Sequence, residues 1–400
     1  MTPPRAQASV NVAAIERNCA RLRGELGERG ELCAVVKADG YGHGAVQSAL
    51  AALAGGASWL AVATATEACE LREAGVATAP ILVMGALSLP ELRQALAADA
   101  DVVVWSERYV RAVAEAGGGR VHVKLDSGMG RLGTRDAALA MRLLEAAREA
   151  RGVRPVGLMT HFATADELDD EGFFAGQLDA FTRWVRECKG AQPELIAHAA
   201  NSAALLRDAR SHFDMARCGI AVYGMDPFGE DPALRSLEPA LELSSYVAEV
   251  KRCRAGESAG YGRRFVAKRD TQLGVLPIGY GDGWRRGFSN NADVLIAGAR
   301  RPLVGTVSMD NVTIDLGPDP GAERLRGEPA TLIGSDGEER ITAEELARRL
   351  QTINYEITCA LTPRVQRVHH RDGVALQLLV AGGGAADAVA AAPWLPARDG

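Results

Sequence analysis

Short apolar runs alternate with alanine-rich segments of helical period through roughly the first 230 residues of the chain. Each run suits one buried strand, and the segment after it has the apolar spacing of an amphipathic helix. Eight such runs occur, at residues 32–36, 59–63, 81–84, 102–105, 121–125, 156–160, 195–197 and 213–222. Eight β/α units in this length fit a closed barrel better than an open doubly wound sheet. We therefore predict an α/β fold in which residues 1–237 form a TIM-like (β/α)8 barrel.

The pattern changes after residue 238. Short runs, often alternating between apolar and polar residues, are separated by clusters of Gly, Asp and Pro. Because this pattern is typical of strands joined by turns, we predict a β-rich C-terminal domain over residues 238–381. One helix is expected within it at residues 341–351, where Thr342 and Glu345 could form a capping box. Residues 382–400 are rich in Ala, Gly and Pro and are expected to be a flexible tail.

Composition narrows the class of partner. Of the 400 residues, 47% are hydrophobic and 24% are charged, as in an ordinary globular protein. The formal net charge of −6 lacks the bulk positive charge of a nucleic-acid-binding protein. The first ten residues contain no signal-peptide core, and no apolar stretch is long enough to span a membrane. The seven cysteines form no C-x-x-C motif. We expect free thiols in a reducing compartment, the cytoplasm.

In a β/α barrel the chemistry lies at the carboxyl ends of the strands. Several predicted strands end in polar residues, namely Lys37, Asp126, His161, Ser202 and Arg217. Lys37 directly follows the first apolar run. A lysine there is unfavourable unless its amine is paired or reactive. It is either an amine that forms a Schiff base with an aldehyde cofactor or a carbonyl substrate, or a surface lysine that covers the barrel rim.

The later strand ends each allow two interpretations. Asn201 and Ser202 suit the phosphate site found after the late strands of such barrels, but they also suit an ordinary helix cap. Arg217 lies between apolar residues and therefore needs a partner, either a ligand or a structural ion pair. His161 is a candidate for proton transfer, although a hydrogen-bonded structural histidine is the more common case.

Lys124 poses a separate problem. His122, Lys124 and Asp126 alternate along one predicted strand, so their side chains share one face. If that face points into the barrel, Lys124 needs a nearby anion or a modification that removes its charge.

Nine motifs together resemble the alanine racemases. The first is Val-Val-Lys-Ala-Asp-Gly-Tyr-Gly-His-Gly around Lys37, which is similar to the family's pyridoxal-phosphate attachment motif. Eight further motifs follow in the family's order, at residues 124–133, 160–163, 201–202, 217–224, 260–262, 279–283, 308–310 and 354–356. One motif alone would be weak, but their order across nearly the whole chain is specific. The resemblance implies a fold-type III, pyridoxal 5′-phosphate-dependent racemase that interconverts L- and D-alanine.

The resemblance also implies catalytic roles. Lys37 matches the lysine that holds the cofactor and then acts as acid and base on one face of the substrate α-carbon, and Tyr261 matches the base on the opposite face. A phenol of pKa about 10 needs a neighbour that lowers it, and His161 and Arg217 match the relay behind that tyrosine. Arg217 also matches the residue that faces the pyridine nitrogen. Because Arg donates but does not accept hydrogen bonds, that nitrogen should stay unprotonated, which limits side reactions such as transamination.

Binding roles follow from the same resemblance. The residues that match cofactor-binding positions are Lys37, Tyr41, Asn201, Ser202, Arg217, Gly219, Ile220 and Tyr355. Arg131 matches the residue that contacts the substrate carboxylate and the cofactor's phenolic oxygen, and Met309 matches one that lines the substrate pocket through its backbone. Lys124 matches a lysine that is carbamylated in many family members, and the resulting anion could orient Arg131. No metal is expected.

In this family the tyrosine and methionine that Tyr261 and Met309 match come from the second subunit, which implies a head-to-tail homodimer. The family role is to supply D-alanine for peptidoglycan, although a role in making or resisting an antibiotic would leave the same motifs. Ser308 stands where family members often have Cys, so substrate preference stays open.

Three alternatives remain. The first is a racemase for another small amino acid such as serine, or one of broad specificity, because one methylene changes discrimination by only about 1–3 kcal/mol. The second is a barrel decarboxylase that uses the same cofactor, but it should carry a glutamate at the pyridine nitrogen and a cysteine acid, so Arg217 and Ser308 argue against it. The third is a non-catalytic cofactor carrier, which would need no second base at Tyr261.

Overall fold

A computed structural model describes residues 4–28 and 30–376. The predicted tail at residues 382–400 and the end of the predicted C-terminal domain lie outside the described residues. The described chain divides into two compact units. The barrel unit consists of Ile15–Phe228 and Arg235–Glu238, and the β-rich unit consists of residues 4–14, Gly229–Leu234 and residues 239–376.

The first strand, β1 (Gln7–Asn11), belongs to the β-rich unit, and the next eight strands build the barrel. These are β2 (Glu31–Val35), β3 (Trp59–Val62), β4 (Ile81–Val83), β5 (Asp101–Val104), β6 (Gly119–Lys124), β7 (Val153–Met159), β8 (Ile196–His198) and β9 (Met215–Cys218). They are parallel and pair in chain order, and β9 pairs with β2 to close the ring. The predicted (β/α)8 barrel is confirmed. The apolar run at residues 213–222 is only partly strand, because the chain leaves the barrel after Cys218 and forms a 3₁₀ turn at Ile220–Tyr223.

Helices follow the strands as predicted. They are α1 (Val12–Glu25), α2 (Lys37–Tyr41, a single left-handed turn), α3 (Ala45–Ala54), α4 (Ala65–Glu73), α5 (Leu89–Ala97), α6 (Glu107–Glu115), α7 (Ala137–Glu149), α8 (Phe173–Ala191) and α9 (Ser202–Arg207). Side-chain caps fix where several of them begin. Thr64 and Glu67 form a capping box on α4, in which Thr64 Oγ1 accepts from the Glu67 N–H at 3.2 Å and Glu67 Oε2 accepts from the Thr64 N–H at 3.0 Å. No helix in the described ranges combines the length and apolarity needed to cross a bilayer.

The barrel strands are lined by buried Val, Leu, Ile and Ala, which supply its core. Five polar side chains are buried among them, and they belong to Asp101, His122, Lys124, His198 and Arg217. Buried polar groups need hydrogen-bond partners. Their positions on β5, β6, β8 and β9 therefore direct attention to the barrel interior.

The β-rich unit is an eleven-stranded sheet with a small two-stranded hairpin. Its strands after β1 are β10 (Leu241–Tyr246), β11 (Glu249–Cys253), β12 (Ser258–Ala259), β13 (Phe265–Val266), β14 (Thr271–Leu276), β15 (Asp293–Ile296), β16 (Ala299–Val304), β17 (Val312–Gly317), β18 (Pro329–Asp336), β19 (Glu339–Ile341), β20 (Gln366–Arg371) and β21 (Val374–Ala375). The order is β11-β14-β17-β16-β15-β18-β10-β1-β20-β21, and β19 pairs with β18. Strand β1 lies antiparallel to β10 and parallel to β20, so the start of the chain completes this sheet.

The helix predicted at residues 341–351 is confirmed as α10 (Ala343–Leu350), and a further helix that was not predicted, α11 (Asn354–Cys359), follows it. Gln351 has a φ of 56°, and this left-handed residue ends α10. Thr342 Oγ1 accepts from the Glu345 N–H at 3.1 Å, as the capping box requires. The Glu345 carboxylate, however, binds Arg300 (2.8 Å) and Arg349 (2.9 Å), so the second half of the predicted box is replaced by ion pairs.

Asp282 is a buried anchor of the β-rich unit. Its carboxylate pairs with Arg5, lies 3.3 Å from Arg364 Nε, and accepts from the Gly279 N–H at 2.9 Å. Removing one partner of a buried ion pair leaves an uncompensated charge. We expect Asp282→Ala to lower the free energy of unfolding by about 3 kcal/mol in urea denaturation.

The control is Asp310→Ala, because Asp310 pairs with the same Arg364 at 2.6 Å but is half exposed. We expect it to cost less than about 1 kcal/mol. Equal losses in the free energy of unfolding for the two variants would mean that the burial of Asp282 does not determine how much its ion pair stabilises the fold.

Candidate active site

Lys37 begins a left-handed turn at the carboxyl end of β2. The residues with φ between 52° and 60° are Ala38, Asp39, Gly40 and Tyr41. The Gly40 N–H donates to Val36 O at 3.0 Å and so closes the turn. A residue other than Gly loses about 1–2 kcal/mol in this conformation. Strain of this kind persists only where the surroundings fix it, and such places are often functional sites.

Two carboxylates fix this turn. Glu67 Oε1 accepts from the Ala38 N–H at 2.7 Å, and its Oε2 accepts from the Ala63 N–H at 2.8 Å. Asp39 Oδ1 accepts from the Ala45 N–H at 3.1 Å, at the start of α3. The backbone of Lys37 is therefore held between the capping box of α4 and the first turn of α3.

Arg217 is buried inside the barrel and its partners in the described chain are all neutral. Its Nη1 lies 2.8 Å from His198 Nδ1. Its Nη2 donates to Thr160 O (2.8 Å) and Ala199 O (3.1 Å) and lies 3.2 Å from His161 Nδ1. Because a guanidinium only donates, both Nδ1 atoms must accept. Both imidazoles are therefore neutral and carry their proton on Nε2.

The electrostatics agree with this assignment. Burial, followed by the positive charges of Arg217 and Lys124, holds the pKa of His161 well below its usual value. Burial and Arg217 do the same for the pKa of His198. Burial lowers the pKa of Arg217 to about 10, so it remains protonated at neutral pH. One permanent cation is thus surrounded by two neutral histidines.

Lys124, at the end of β6, is 3% exposed, which confirms that it points inward. Burial, followed by the charges of Arg217 and Arg131, lowers its pKa to about 8. Its amine forms no hydrogen bond or ion pair with any described residue. Asp126 is near, but its carboxylate accepts from the Gly130 N–H at 3.0 Å and binds Arg135 Nε at 3.2 Å. This end of the barrel carries an excess of positive charge, which favours an anionic ligand or modification.

The predicted phosphate site contains an ordinary helix cap at Asn201 and a hydroxyl, that of Ser202, which accepts hydrogen bonds from the turn after β9. Asn201 Oδ1 accepts from the Ala204 N–H at 2.9 Å and so caps α9, which is the structural alternative foreseen for it. Ser202 Oγ accepts from the N–H groups of Gly219 (3.1 Å) and Ala221 (3.3 Å). The hydroxyl and the start of the 3₁₀ turn therefore form a small polar cradle after β9.

Glycine is required at position 219 because the side chain of Tyr41 approaches the backbone closely in this cradle. A Cβ at this position would lie 2.3 Å from the hydroxyl oxygen of Tyr41, so only glycine lets Tyr41 reach it. Tyr41 is buried, and its ring centroid lies 5.2 Å from that of Tyr223. Ile220, the next residue, is also buried. The left-handed turn after β2 and the 3₁₀ turn after β9 thus meet at one point.

Comparison with known proteins identifies the family. Two family models match, the alanine racemase N-terminal domain over residues 10–227 and the alanine racemase C-terminal domain over residues 240–369. Alanine racemase 1 of Bacillus subtilis (strain 168) is 38% identical over 379 residues, which cover 93% of this chain and 94% of that protein. The structure of alanine racemase from D-cycloserine-producing Streptomyces lavendulae matches with a TM-score of 0.85 at 36% identity, over 92% of this chain and 98% of that one. The chain belongs to the alanine racemase family.

The resemblance found in the motifs is therefore confirmed, and the chain is an amino-acid racemase, an isomerase. The alanine racemase of Thermobifida fusca (strain YX) is 40% identical over 91% of this chain. The structure from Bacillus anthracis with bound L-Ala-P matches with a TM-score of 0.86 at 35% identity, over 94% of this chain and 98% of that one.

The family's remaining predicted site residues lie in the β-rich unit. Tyr261 begins a 3₁₀ turn after Gly260, and its carbonyl accepts from Thr306 Oγ1 at 2.7 Å. Its side chain is 72% exposed, and Met309 is 51% exposed. Tyr355 lies on α11. The structure brings Lys37, Lys124, His161 and Arg217 together in the barrel unit. Tyr261, Met309 and Tyr355 lie in the β-rich unit.

Three polar residues of the barrel interior were not predicted as site residues. His198 contacts Arg217 directly, and its Nε2 lies 2.7 Å from His122 Nδ1. His122 Nε2 lies 3.1 Å from Asp101 Oδ2. The available signal was a polar side chain at an alternate position within an apolar strand. This signal marks His122 on β6, but the site prediction did not include Asp101 on β5 or His198 on β8.

The two buried histidines should make stability fall as the pH is lowered. The folded pKa of His161 and of His198 lies well below the unfolded value of about 6.5. Below that pH the unfolded chain binds protons that the folded chain does not, so the free energy of unfolding falls by about 1.4 kcal/mol per histidine per pH unit. Urea denaturation between pH 6.5 and 5 measures this slope. We expect His161→Gln to reduce the slope by the contribution of one histidine. An unchanged slope would contradict the conclusion that His161 is neutral in the folded protein.

Proposed function

We propose that this chain catalyses the interconversion of L- and D-alanine with pyridoxal 5′-phosphate, using Lys37 and Tyr261 as acid–base groups on opposite faces of the substrate. The proposal depends chiefly on one observation. A buried arginine, held as a donor by two neutral histidines, lies in the same barrel mouth as a lysine on a strained turn. The family assignment supports the same chemistry.

The residues of the barrel mouth fit this cofactor. Its phosphate suits the cradle of Ser202, Gly219 and the 3₁₀ turn, where a Cβ on Gly219 would leave no room beside Tyr41. The excess positive charge around Lys124 and Arg217 favours an anion. We assign Ile220 to this phosphate site by resemblance, and Asn201 supports it by capping α9. Tyr355, on α11, matches a further phosphate-holding position of the family.

When bound, the cofactor supplies an aldehyde for an amine and a conjugated ring that stabilises negative charge on the α-carbon. Arg217 would donate to the ring nitrogen. A guanidinium can fill this role because it does not accept hydrogen bonds or release its proton, so the ring nitrogen stays unprotonated. By donating to the ring nitrogen without protonating it, Arg217 would make the ring less electron-withdrawing and so favour return of the proton to the α-carbon over side reactions such as transamination.

Racemisation requires one group to remove the α-proton and another to deliver a proton to the far face. Lys37 would act on one face from the strained turn. Tyr261 of the partner subunit would act on the other, in a head-to-tail homodimer. The high exposure of Tyr261 and Met309 in a single chain supports this arrangement, because both side chains are open to a second copy. His161 and Arg217 would form the relay behind that phenol.

Arg131 would bind the substrate carboxylate, and the backbone of Met309 of the partner subunit would line the pocket. Arg131 forms no ion pair with the described residues, so its charge is available to an anion. Carbamylation of Lys124 would convert a buried cation into an anion that can orient Arg131. We propose, again by resemblance, that the D-alanine product serves peptidoglycan synthesis.

The test is proton exchange. Purified, cofactor-loaded protein is incubated with L-alanine in D₂O, the α-proton is followed by NMR, and D-alanine is measured by a chiral assay. We expect the α-proton signal to disappear while D-alanine accumulates. No exchange with loaded protein would refute the alanine assignment. The other L-amino acids would then separate a racemase of serine from a cofactor carrier.

Tyr261→Phe is the matched variant for the two-base mechanism. We expect inversion to slow by about 10²- to 10⁴-fold, while the α-proton of only one enantiomer still exchanges, because Lys37 remains. Tyr246→Phe, a control on β10, should leave the rate unchanged. Equal loss of exchange for both enantiomers in Tyr261→Phe would contradict a base for each face.

Lys124 should react with carbon dioxide. Because its pKa is lowered to about 8, a large share of its amine is neutral and nucleophilic near that pH. In ¹³C-bicarbonate the protein should show a carbamate carbonyl signal that grows from pH 7 to pH 9 and is absent in Lys124→Gln. Lys189→Arg is the control, since Lys189 already pairs with Asp214 at 2.5 Å. Absence of the signal from the native protein would mean that Lys124 remains an amine.

A further inference from the structure

A line of hydrogen bonds runs from Arg217 through the interior of the barrel to the start of β5 and β6. Arg217 Nη1 lies 2.8 Å from His198 Nδ1, and His198 Nε2 lies 2.7 Å from His122 Nδ1. His122 Nε2 lies 3.1 Å from Asp101 Oδ2, and Asp101 Oδ1 accepts from Arg120 Nε at 2.5 Å. His198, His122 and Asp101 are fully buried. We call these five residues the interior chain.

Only one arrangement of protons satisfies the interior chain. Arg217 can only donate, so His198 Nδ1 accepts and its proton is on Nε2. That Nε2–H must donate to His122 Nδ1, which places the proton of His122 on its own Nε2. The His122 Nε2–H then donates to Asp101, an ionised carboxylate that can only accept. From Arg217 to Asp101 each link donates away from Arg217, whereas Arg120 donates to Asp101 from the other side. The order cannot reverse while Arg217 is a cation and Asp101 is a carboxylate.

The Asp101 end is built to keep its charge. Burial acts to raise the pKa of Asp101, but the hydrogen bonds from His122 and Arg120, together with the charge of Arg120, outweigh burial and lower it. Arg120 also binds Asp99, whose side chain is 78% exposed, at 2.9 Å. Asp101 therefore remains a carboxylate inside the barrel with a cation on one oxygen and a histidine on the other.

The position of the His122 ring is fixed as well. A Cβ on Gly157 would lie 2.0 Å from His122 Nδ1, so glycine at this point of β7 makes room for the ring. The edge of the ring meets Trp59, with 5.8 Å between ring centroids and an interplanar angle of 88°. The ring cannot turn without losing a bond to His198 or to Asp101.

We infer that Asp101 and His122 are positioning residues, which hold the His198 lone pair toward Arg217 and so fix how the guanidinium presents its remaining donors. Arg217 Nε–H and the second Nη1 hydrogen have no acceptor in the described part of the chain. They are available to a ligand in the barrel mouth. This inference rests on the proposed function for its consequence, which is that Arg217 faces the cofactor's ring nitrogen.

Asp101→Asn tests the order of the interior chain. Asp101 accepts from two donors, Arg120 Nε and His122 Nε2. Asparagine has only one acceptor oxygen, and its other group is a donor, so it cannot accept from both. Its oxygen should turn to Arg120, because a hydrogen bond from a cation is about twice as strong as a neutral one. Its NH₂ then faces His122 and reverses the order, so His198 carries a proton on Nδ1 against Arg217. The same reversal follows this substitution in Ser-His-Asp triads.

The first readout is the protonation of the His198 ring nitrogens. Protein labelled with ¹⁵N-histidine contains seven such residues, and nitrogen shifts distinguish a protonated from an unprotonated ring nitrogen. We expect unprotonated Nδ1 in the native chain and protonated Nδ1 in Asp101→Asn, with no cofactor needed. Asp99→Asn is the matched control, because it removes the other carboxylate on Arg120 and should leave His198 unchanged.

The second readout is turnover of the loaded enzyme. We expect kcat to fall by about 10- to 100-fold in Asp101→Asn, the range typical of groups that orient a functional side chain, and to change little in Asp99→Asn. A fall in kcat without a change at His198 would mean a merely structural role and would overturn the inference. Unchanged shifts and unchanged kcat would overturn it too.

His122 supplies a second test if Asp101→Asn does not fold. Gln at this position can accept from His198 and donate to Asp101, so His122→Gln should keep the His198 N–H protected from exchange with water. His122→Leu, which is apolar, should expose it and lower kcat by about tenfold or more. Equal behaviour of the two variants would overturn the inference. If the native enzyme does not racemise alanine, the proposed function fails, while the ¹⁵N shifts and N–H exchange still decide the inference.

Discussion

A guanidinium buried inside a barrel without a carboxylate beside it is the constraint on which this site depends. Removing such a charge from water is costly unless its donors are satisfied. Arg217 directs one Nη1 hydrogen and its Nη2 group to four neutral acceptors, two of them histidine nitrogens, and leaves its other two N–H groups for a ligand. A carboxylate in their place would have neutralised the cation. Neutral acceptors leave its full charge in the barrel mouth, where a ligand can use it.

The same surplus of charge explains the behaviour of the neighbouring groups. Burial and the charge of Arg217 together hold His161 and His198 neutral and lower the pKa of Lys124. A buried lysine that loses its proton easily is a better nucleophile, which is the property that the proposed carbamylation requires. The strained turn at Lys37 fits this setting, because Glu67 fixes it from outside by accepting from the backbone.

The fold could be predicted because its signal is periodic. Eight apolar runs, each followed by a helical segment, specify a closed barrel, since every strand needs a covering helix. Strand β1 could not be found in this way, because Gln7–Asn11 is short and gains its burial from β10 and β20, which are more than 200 residues away in sequence. Helix α11 could not be found either, because Asn354–Cys359 is only six residues long and is too short for helical spacing to show.

The positions of site residues could be predicted where a sequence motif contains them, but not where they depend on which strands pair across the barrel. Lys37, Ser202 and Arg217 stand at strand ends, so the fold places them in the mouth. Asp101 begins β5 and therefore lies at the opposite end from the carboxyl ends of the strands, where the chemistry of such a barrel is expected. Its link to Arg217 requires that β5, β6, β8 and β9 bring one polar side chain each into register across the interior. Such a chain costs stability at every link unless all members are satisfied. Both ring nitrogens of His198 and His122 and both carboxylate oxygens of Asp101 are paired, which is the physical reason to treat the interior chain as part of the site rather than as polar residues that the barrel tolerates.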